Sequence, residues 1–178
     1  MQRIVILGNA GSGKSTLARA LGQRLGLPVV HLDTLFWEPG WIEPEADRFR
    51  ARVRAALASE TWICEGNYAR RTFDLRLPRA DLIIWLDTPT STCLRRVLVR
   101  SLSNRPRPDL PAGCREKLDR SFLTFLKYVW TFDRDYRAGI EAARSKQGPQ
   151  VPVIHLRGTR QIEAYLNGLP AALSLIHI

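Results

Sequence analysis

Long hydrophobic runs are missing from this chain of 178 residues, and cysteine is scarce. No stretch approaches the ~20 apolar residues that a membrane helix needs, so we expect no membrane partner. The apolar residues 4–7 are too few for an export signal and lead directly into a glycine motif, which predicts a strand. The three cysteines, Cys64, Cys93 and Cys114, form no C-x-x-C pair and give no zinc signal. They fit reduced thiols, and we therefore expect a cytoplasmic protein.

Lysine and acidic residues are few beside arginine. The chain has 23 Arg but only 4 Lys, with 17 acidic residues and a net charge of +10. This excess fits three interpretations: a genomic base composition that favours arginine codons, recognition of phosphates by bidentate guanidinium groups, or attraction to nucleic acid. Charge alone does not separate the three, so a nucleic-acid partner stays open.

A glycine-rich motif follows the first apolar run. It has the pattern G-x-x-x-x-G-K-[S/T] plus one further hydroxyl residue, and its members are Gly8, Asn9, Ala10, Gly11, Ser12, Gly13, Lys14, Ser15 and Thr16. Glycines let the backbone curl so that successive N–H groups point at phosphate oxygens, and the positive end of the following helix adds to the attraction. This spacing, between a strand and a helix, predicts that the motif binds a nucleoside triphosphate.

The polar side chains of the motif have separate expected roles. Lys14 reaches the β- and γ-phosphates, the Ser15 hydroxyl ligates Mg²⁺, and Thr16 supports the α-phosphate. The Asn-Lys-x-Asp motif that reads guanine does not occur in the sequence, which favours ATP over GTP. We therefore expect ATP and Mg²⁺ as cofactors.

Further short apolar runs alternate with amphipathic segments. We predict strands at residues 3–7, 28–32, 61–65, 81–87 and 151–156. Continuous apolar runs of this length are typical of parallel strands that are buried on both faces. The chain length suits one domain over residues 1–178. These observations predict an α/β fold of three layers, with a five-stranded parallel sheet flanked by helices.

Helical periodicity follows the glycine motif and recurs in three later segments. These segments are residues 45–57, 90–102 and 115–144, the last as one long helix or two helices with a break. The spacing places Leu98 and Trp130 on buried faces. Residues 104–113 contain three prolines, cannot continue a helix, and predict a small lid at about residues 103–114. The apolar residues 171–178 are expected to be an extra packed segment or a non-native tail.

Carboxylates follow three of the predicted strands. Asp33, Glu65 and Asp87 should therefore meet at the carboxyl edge of the sheet, where ligands of such folds bind. A metal-bound triphosphate needs a carboxylate there. We predict catalytic roles for Asp33 and Glu65, with Glu65 also a metal ligand, whereas Asp87 fits a helix N-cap equally well.

A group of arginines follows the fourth predicted strand. Arg100, Arg105 and Arg107 lead into the predicted lid or lie on it. In phosphoryl transfer such guanidinium groups close over the phosphate, neutralise it and exclude water, so we include these three among the candidate catalytic residues. The alternative is a solvated basic surface.

Aromatic residues cluster after the second predicted strand. Phe36, Trp37 and Trp41 lie close to His31 and Asp33 in the sequence. They predict either a pocket for an apolar or planar substrate or a hydrophobic plug under a loop.

A basic turn follows the last predicted strand. Arg157 and Arg160 are candidates to border the adenine ring of a bound nucleotide. The alternative is a structural turn in which Thr159 caps the next helix.

Several of these stretches resemble a known family. The segments GNAGSGKSTLARALGQRLGLPVVHLDTLFWEPGW and WICEGNY resemble the adenylate-kinase-like P-loop kinases. They resemble more closely the bacterial group labelled DNA topology modulation proteins, related to FlaR. The resemblance covers about residues 2–167, and its specific part is HLDxLFWxPGW together with EGNY.

The resemblance implies a P-loop NTPase fold with a five-stranded parallel core and a mobile lid. It implies that Glu65 and Gly66 occupy the place of the acidic residue near Mg²⁺, and that Arg70 or Arg71 holds an acceptor phosphate. The Asp-Gly-Phe-Pro-Arg run of nucleotide kinases is absent, and EGNY replaces it, which leaves the acceptor open.

These features together predict a phosphotransferase that moves the γ-phosphate of Mg-ATP to a small molecule, of nucleoside or nucleotide type. The alternative is an ATP-dependent nucleic-acid-binding regulator with weak ATPase activity, of the topology modulation type. The sequence contains no DNA-reading motif that would favour this alternative.

Overall fold

The computed structural model describes residues 2–103, 109–111, 113–114 and 119–169. In this part of the chain, five strands form one parallel sheet with the order β2-β3-β1-β4-β5. The strands are β1 (Arg3–Gly8), β2 (Val29–His31), β3 (Trp62–Glu65), β4 (Leu82–Leu86) and β5 (Val153–Leu156). Each lies within or next to a predicted run, so the predicted α/β class and the parallel sheet are confirmed. The central strand β1 leads directly into the glycine motif.

The helices cover both faces of this sheet. They are α1 (Lys14–Leu25), α2 (Leu32–Phe36), α3 (Ala46–Ala56), α4 (Ala69–Arg76), α5 (Thr90–Ser103), α6 (Arg120–Asp135), α7 (Arg137–Gln147) and α8 (Gly158–Gly168). Of the two possibilities for residues 115–144, the structure has two helices, which meet at Tyr136. Residues 115–118 lie outside the described residues.

Burial of β1 on both faces anchors the loop that follows it. Residues 4–7 are 0% exposed. Ile4 shares one apolar cluster with Leu17 of α1, and Val5 shares the cluster on the opposite face with Phe49 of α3. Burying each such side chain stabilises the fold by about 1.5–3 kcal/mol relative to exposure.

Two residues that were predicted on buried faces are exposed instead. Leu98 is 40% exposed and Trp130 is 65% exposed. The buried row of α5 runs through Cys93 and Val97, and that of α6 runs through Val129. Each exposed residue directly follows a buried one. Successive side chains on a helix point about 100° apart, so each of the two lies off the buried row.

Within the described ranges, none of the helices combines the length and the apolar composition needed to cross a bilayer.

Part of the predicted lid is described. Asp109 and Cys114 are buried, and Cys114 Sγ donates a hydrogen bond to the carbonyl oxygen of Glu38 at 3.2 Å. This end of the segment therefore packs against the loop after α2. Residues 104–108 and the predicted tail, residues 171–178, lie outside the described part of the chain.

Candidate active site

The glycine motif forms a tight loop between β1 and α1. Gly8, Gly11 and Gly13 have φ angles of +143°, +77° and +105°, a region that favours glycine. At Gly11 there is no space for a side chain either, since a Cβ atom would lie 2.5 Å from the carbonyl oxygen of Cys93. The backbone therefore curls over the N-terminus of α1, which begins at Lys14. A loop of this form surrounds phosphate oxygens with N–H groups.

Contacts from three directions hold this loop. Lys14 Nζ donates to the carbonyl oxygen of Asn9 at 2.9 Å. The side-chain amide of Asn9 donates to the carbonyl oxygen of Val129 on α6 at 2.8 Å. The hydroxyl of Thr88, after β4, donates to the carbonyl oxygen of Ser12 at 3.0 Å. The loop is thus tied to α1, α6 and the end of β4.

Ser15, Glu65 and His31 form a hydrogen-bonded group beside the loop. Ser15, next to Thr16 in the first turn of α1, donates from Oγ to Glu65 Oε1 at 3.0 Å. His31 Nδ1 lies 2.8 Å from the same oxygen. Burial of Glu65 raises the pKa of its carboxyl, but the hydrogen bond from His31 and the charge of Lys14 outweigh this, and the pKa is lowered. Glu65 is therefore a buried carboxyl whose surroundings favour its ionised form.

This group fits a magnesium ion that is also bound by phosphates. Among the described residues, no cluster of three or more His, Cys, Asp or Glu side chains could hold a metal ion alone. Mg²⁺ in nucleotide sites is bound by one or two protein oxygens together with substrate phosphates and water. The oxygens of Ser15 and Glu65 supply such a pair next to the loop.

Asp33 lies near this group, two residues after the end of β2. Strand β2 ends at His31, and Asp33 belongs to the first turn of α2. The hydroxyl of Tyr68 donates to Asp33 Oδ1 at 2.7 Å. Burial is the main cause and the charge of Asp33 the second cause of a pKa of Tyr68 far above its usual range. The phenol therefore stays protonated and remains a hydrogen-bond donor. The pair therefore holds a second carboxylate beside the strand edge.

Asn67 joins the end of β3 to the loop formed by the glycine motif (residues 8–16, called the phosphate loop below). No local pattern in the sequence predicted this role. Its Nδ2 donates to the carbonyl oxygen of Gly8 at 2.9 Å, and its Oδ1 accepts from the Gly8 N–H at 3.1 Å. The two residues are 59 positions apart, and only the EGNY segment of the sequence pointed to this position.

Asp87, the third carboxylate, binds other partners. Its Oδ1 lies 2.6 Å from Arg137 Nη2, and its Oδ2 lies 2.8 Å from His155 Nδ1. Arg137 also lies over the ring of Trp85 at 5.3 Å. Asp87 therefore links β4, β5 and α7. A cavity of about 240 Å³ adjoins these residues and reaches Asn9.

The aromatic cluster divides between the core and its margin. Phe36 is 4% exposed and makes edge contacts with Phe49 and Trp37 at 4.9 and 4.8 Å. Trp37 contacts Trp41 at 5.2 Å. Arg71 lies over the Phe36 ring at 5.0 Å. Phe36 thus fits the hydrophobic plug, while the two tryptophans lie outside it, half-buried.

The arginines after β4 are only partly described. Arg100 lies in the last turn of α5, whereas Arg105 and Arg107 lie outside the described residues. Arg96, in the same helix, donates from Nη1 to the carbonyl oxygen of Ser12 at 3.2 Å. Its Nη2 donates to Thr159 Oγ1 at 3.1 Å. Arg96 therefore connects the phosphate loop to the turn after β5.

That turn places the last two candidates near the loop. Arg157 and Arg160 are exposed at the start of α8. The interpretation of Thr159 as a helix cap is wrong, because the cap position is Arg157, whose N–H donates to Gln161 Oε1 at 2.7 Å. The Thr159 hydroxyl accepts from Arg96 instead.

Comparisons with known proteins agree with this geometry. No protein-family model matches the chain. The chain is 32% identical over 123 residues to a shikimate kinase of Symbiobacterium thermophilum. The aligned residues cover 58% of this chain and 67% of that enzyme. The chain is 25% identical over 165 residues to the chloroplastic shikimate kinase 1 of rice, with 82% of this chain covered, and spans about half (53%) of that enzyme.

Solved structures support the fold. The shikimate kinase of Bacteroides thetaiotaomicron superposes with a TM-score of 0.51 at 16% identity, over 93% of this chain and 94% of that one. The shikimate kinase of Acinetobacter baumannii, solved with shikimate, gives a TM-score of 0.52 at 17% identity, over 94% and 90%. The chain therefore belongs to the shikimate kinase family and is an ATP-dependent P-loop kinase of a small molecule.

Proposed function

We propose that this kinase transfers the γ-phosphate of Mg-ATP to a hydroxyl group of a small acceptor held beside Asp33. The observation that carries the proposal is the pair of carboxylates at one edge of the sheet. Glu65 is bound to Ser15 of the phosphate loop at 3.0 Å, and Asp33 is bound to Tyr68 at 2.7 Å. Such an arrangement supplies one carboxylate for a metal ion and another for an acceptor.

The chemistry divides among these residues. The N–H groups of the loop and the Lys14 ammonium bind the β- and γ-phosphates and neutralise charge that develops during transfer. Ser15 and Glu65 would hold Mg²⁺, which when bound neutralises phosphate oxygens. The acceptor hydroxyl oxygen attacks the γ-phosphorus, its proton passes to the Asp33 carboxylate, and the bond from phosphorus to the β-phosphate oxygen breaks.

The arginines have proposed roles around the nucleotide. Arg157 and Arg160 would border the adenine, since their turn is linked to the phosphate loop through Arg96. Arg100 is proposed to contact the phosphates, and Arg105 and Arg107 to do so from the lid. Each role uses the bidentate fit of a guanidinium to phosphate or its stacking on a flat ring.

An acceptor screen with Mg-ATP tests the proposal. The panel contains shikimate and related polyhydroxy acids, suggested by the relatives, and nucleosides and nucleotides, suggested by the sequence. We expect Lys14→Ala to abolish nucleotide binding. Asp33→Asn and Glu65→Gln should each lower kcat by about 100-fold or more while the nucleotide still binds.

Two exposed carboxylates provide matched controls. Asp47→Asn alters the first turn of α3, and Glu60→Gln alters a side chain that is 82% exposed. Both should keep wild-type activity. Full activity in Asp33→Asn would remove Asp33 from the mechanism, and no product from any acceptor would overturn the proposal.

A relationship to a more specific group of proteins is also proposed. We infer from HLDxLFWxPGW and EGNY that the chain lies near the group labelled DNA topology modulation proteins, and from its reduced cysteines that it works in the cytoplasm. The regulator function of that label is the weaker candidate, because the relatives reported above are kinases. DNA binding at low salt that changes with ATP would favour it.

A further inference from the structure

Arg76 is a buried cation that the mechanism above does not use. It ends α4, and it is 0% exposed. Its Nε donates to Thr72 Oγ1 at 3.1 Å, its Nη2 donates to the carbonyl oxygen of Asn67, and its Nη1 lies 3.8 Å from Cys64 Sγ. The guanidinium also lies 4.8 Å from the Phe73 ring. Burying a charge is costly, so core packing alone would favour an apolar residue here.

The carbonyl that Arg76 binds belongs to a turn with unfavourable backbone geometry. Gly66 has a φ of +124° and Tyr68, which is not glycine, has a φ of +37°. A non-glycine residue in this region persists only where its surroundings hold it there. Asn67 lies between the two, so the hydrogen bond from Arg76 acts at the centre of the turn.

Three contacts of the candidate active site depend on this turn. Glu65, which accepts from Ser15, directly precedes it. The side chain of Asn67 binds both the N–H and the carbonyl oxygen of Gly8. The hydroxyl of Tyr68 donates to Asp33. A shift of the turn would therefore disturb the metal ligand, the start of the phosphate loop and the second carboxylate together.

We propose that Arg76 is a positioning residue for phosphoryl transfer. From within the core it holds residues 66–68 in place, and the side chain of Asn67 in turn clamps the phosphate loop at Gly8. The inference rests on the proposed function, because it requires that the loop bind a nucleotide. Arg76 acts through Asn67, and Asn67 acts on backbone atoms of the loop.

The test compares nucleotide affinity among folded variants. Asn67→Ala removes both hydrogen bonds to Gly8, and Arg76→Met removes the charge and the donors while keeping an apolar chain. Arg76→Lys keeps the charge, which guards against the case in which the methionine variant does not fold. Each is titrated by calorimetry with Mg²⁺ and a non-hydrolysable ATP analogue, well below its Tm.

The matched control is Arg79→Met. Arg79 lies three residues away and donates to the backbone carbonyls of Leu57 and Ser59, outside the active site. This variant loses hydrogen bonds from an arginine to the main chain, as Arg76→Met does, and should keep wild-type affinity for the analogue.

We expect Asn67→Ala to weaken binding of the analogue by about 10-fold, since two hydrogen bonds to the loop are lost. Arg76→Met should weaken binding by a similar factor, and Arg76→Lys should weaken it less. The double variant with Arg76→Met and Asn67→Ala should bind no more weakly than Asn67→Ala alone, because the two residues act through one contact. Wild-type affinity in Asn67→Ala, or in a folded Arg76 variant, would overturn the inference and leave the kinase function intact. A wild-type protein that does not bind the analogue would overturn both.

Discussion

At the scale of single residues, the charge of Glu65 depends on what surrounds it. Burial opposes ionisation, whereas His31, Lys14 and Ser15 favour it, and together they lower the pKa of the carboxyl from its ordinary value of 4.5. A carboxyl with a lowered folded pKa stabilises the protein above its unfolded pKa. That contribution is lost as the pH falls through the folded value.

The sign of this shift predicts how stability changes with pH. At pH 7, Glu65→Gln should be less stable than the wild type by on the order of 1–3 kcal/mol, because a charged acceptor is lost from a buried site. The difference should shrink when the pH falls below 4.5. Urea unfolding of both proteins across this range measures it, with Glu60→Gln as the exposed control. A constant difference would mean that Glu65 is not the titrating group.

Gly11 tests the backbone of the phosphate loop. Its φ is +77° and a Cβ would lie 2.5 Å from the carbonyl oxygen of Cys93, so Gly11→Ala should destabilise the fold by about 1–3 kcal/mol. It should also weaken nucleotide binding. Gly139, within α7, has open space around it, and Gly139→Ala should stabilise by about 0.5–1 kcal/mol. Urea midpoints and calorimetry compare the two, and equal effects would contradict this account of the loop.

At the scale of helices and strands, the parts that could be predicted from the sequence are those with local causes. The glycine motif predicted the loop of residues 8–16, and the continuous apolar runs predicted the strands. The contacts of Asn67 with Gly8 and of Arg96 with Ser12 join residues 59 and 84 positions apart, which no local pattern encodes. The exposure of Trp130 was missed because an apolar side chain costs little at a surface.

Helix α6 begins with a side-chain cap that has a measurable effect. Asp119 accepts hydrogen bonds from the N–H groups of Ser121 and Phe122 at 2.9 and 3.1 Å. Asp119→Ala should cost about 1 kcal/mol of stability, because these two donors lose their partner, whereas Asp119→Asn should cost less. Urea unfolding of both variants measures the cap. If the two substitutions had equal effects, the side-chain oxygen would not be acting as the acceptor.

At the scale of the whole molecule, the phosphate loop is joined to most of the sheet. It follows the central strand, and its residues contact α6 through Asn9, the end of β4 through Thr88 and the end of β3 through Asn67. A ligand that binds only this folded arrangement stabilises all of these elements, because unfolding any of them also releases the ligand.

Nucleotide binding should therefore raise the Tm of the protein. At a concentration 100 times the Kd, Mg-ATP adds about 2.7 kcal/mol to the free energy of unfolding. For a chain of this length that corresponds to a rise of roughly 5–11 °C. Thermal unfolding with and without Mg-ATP measures the shift. Lys14→Ala should show none, whereas Lys146→Ala, at the exposed end of α7, should keep it. An equal shift in the Lys14 variant would place nucleotide binding elsewhere, because the ammonium at the start of α1 is the charge that we propose binds the phosphates.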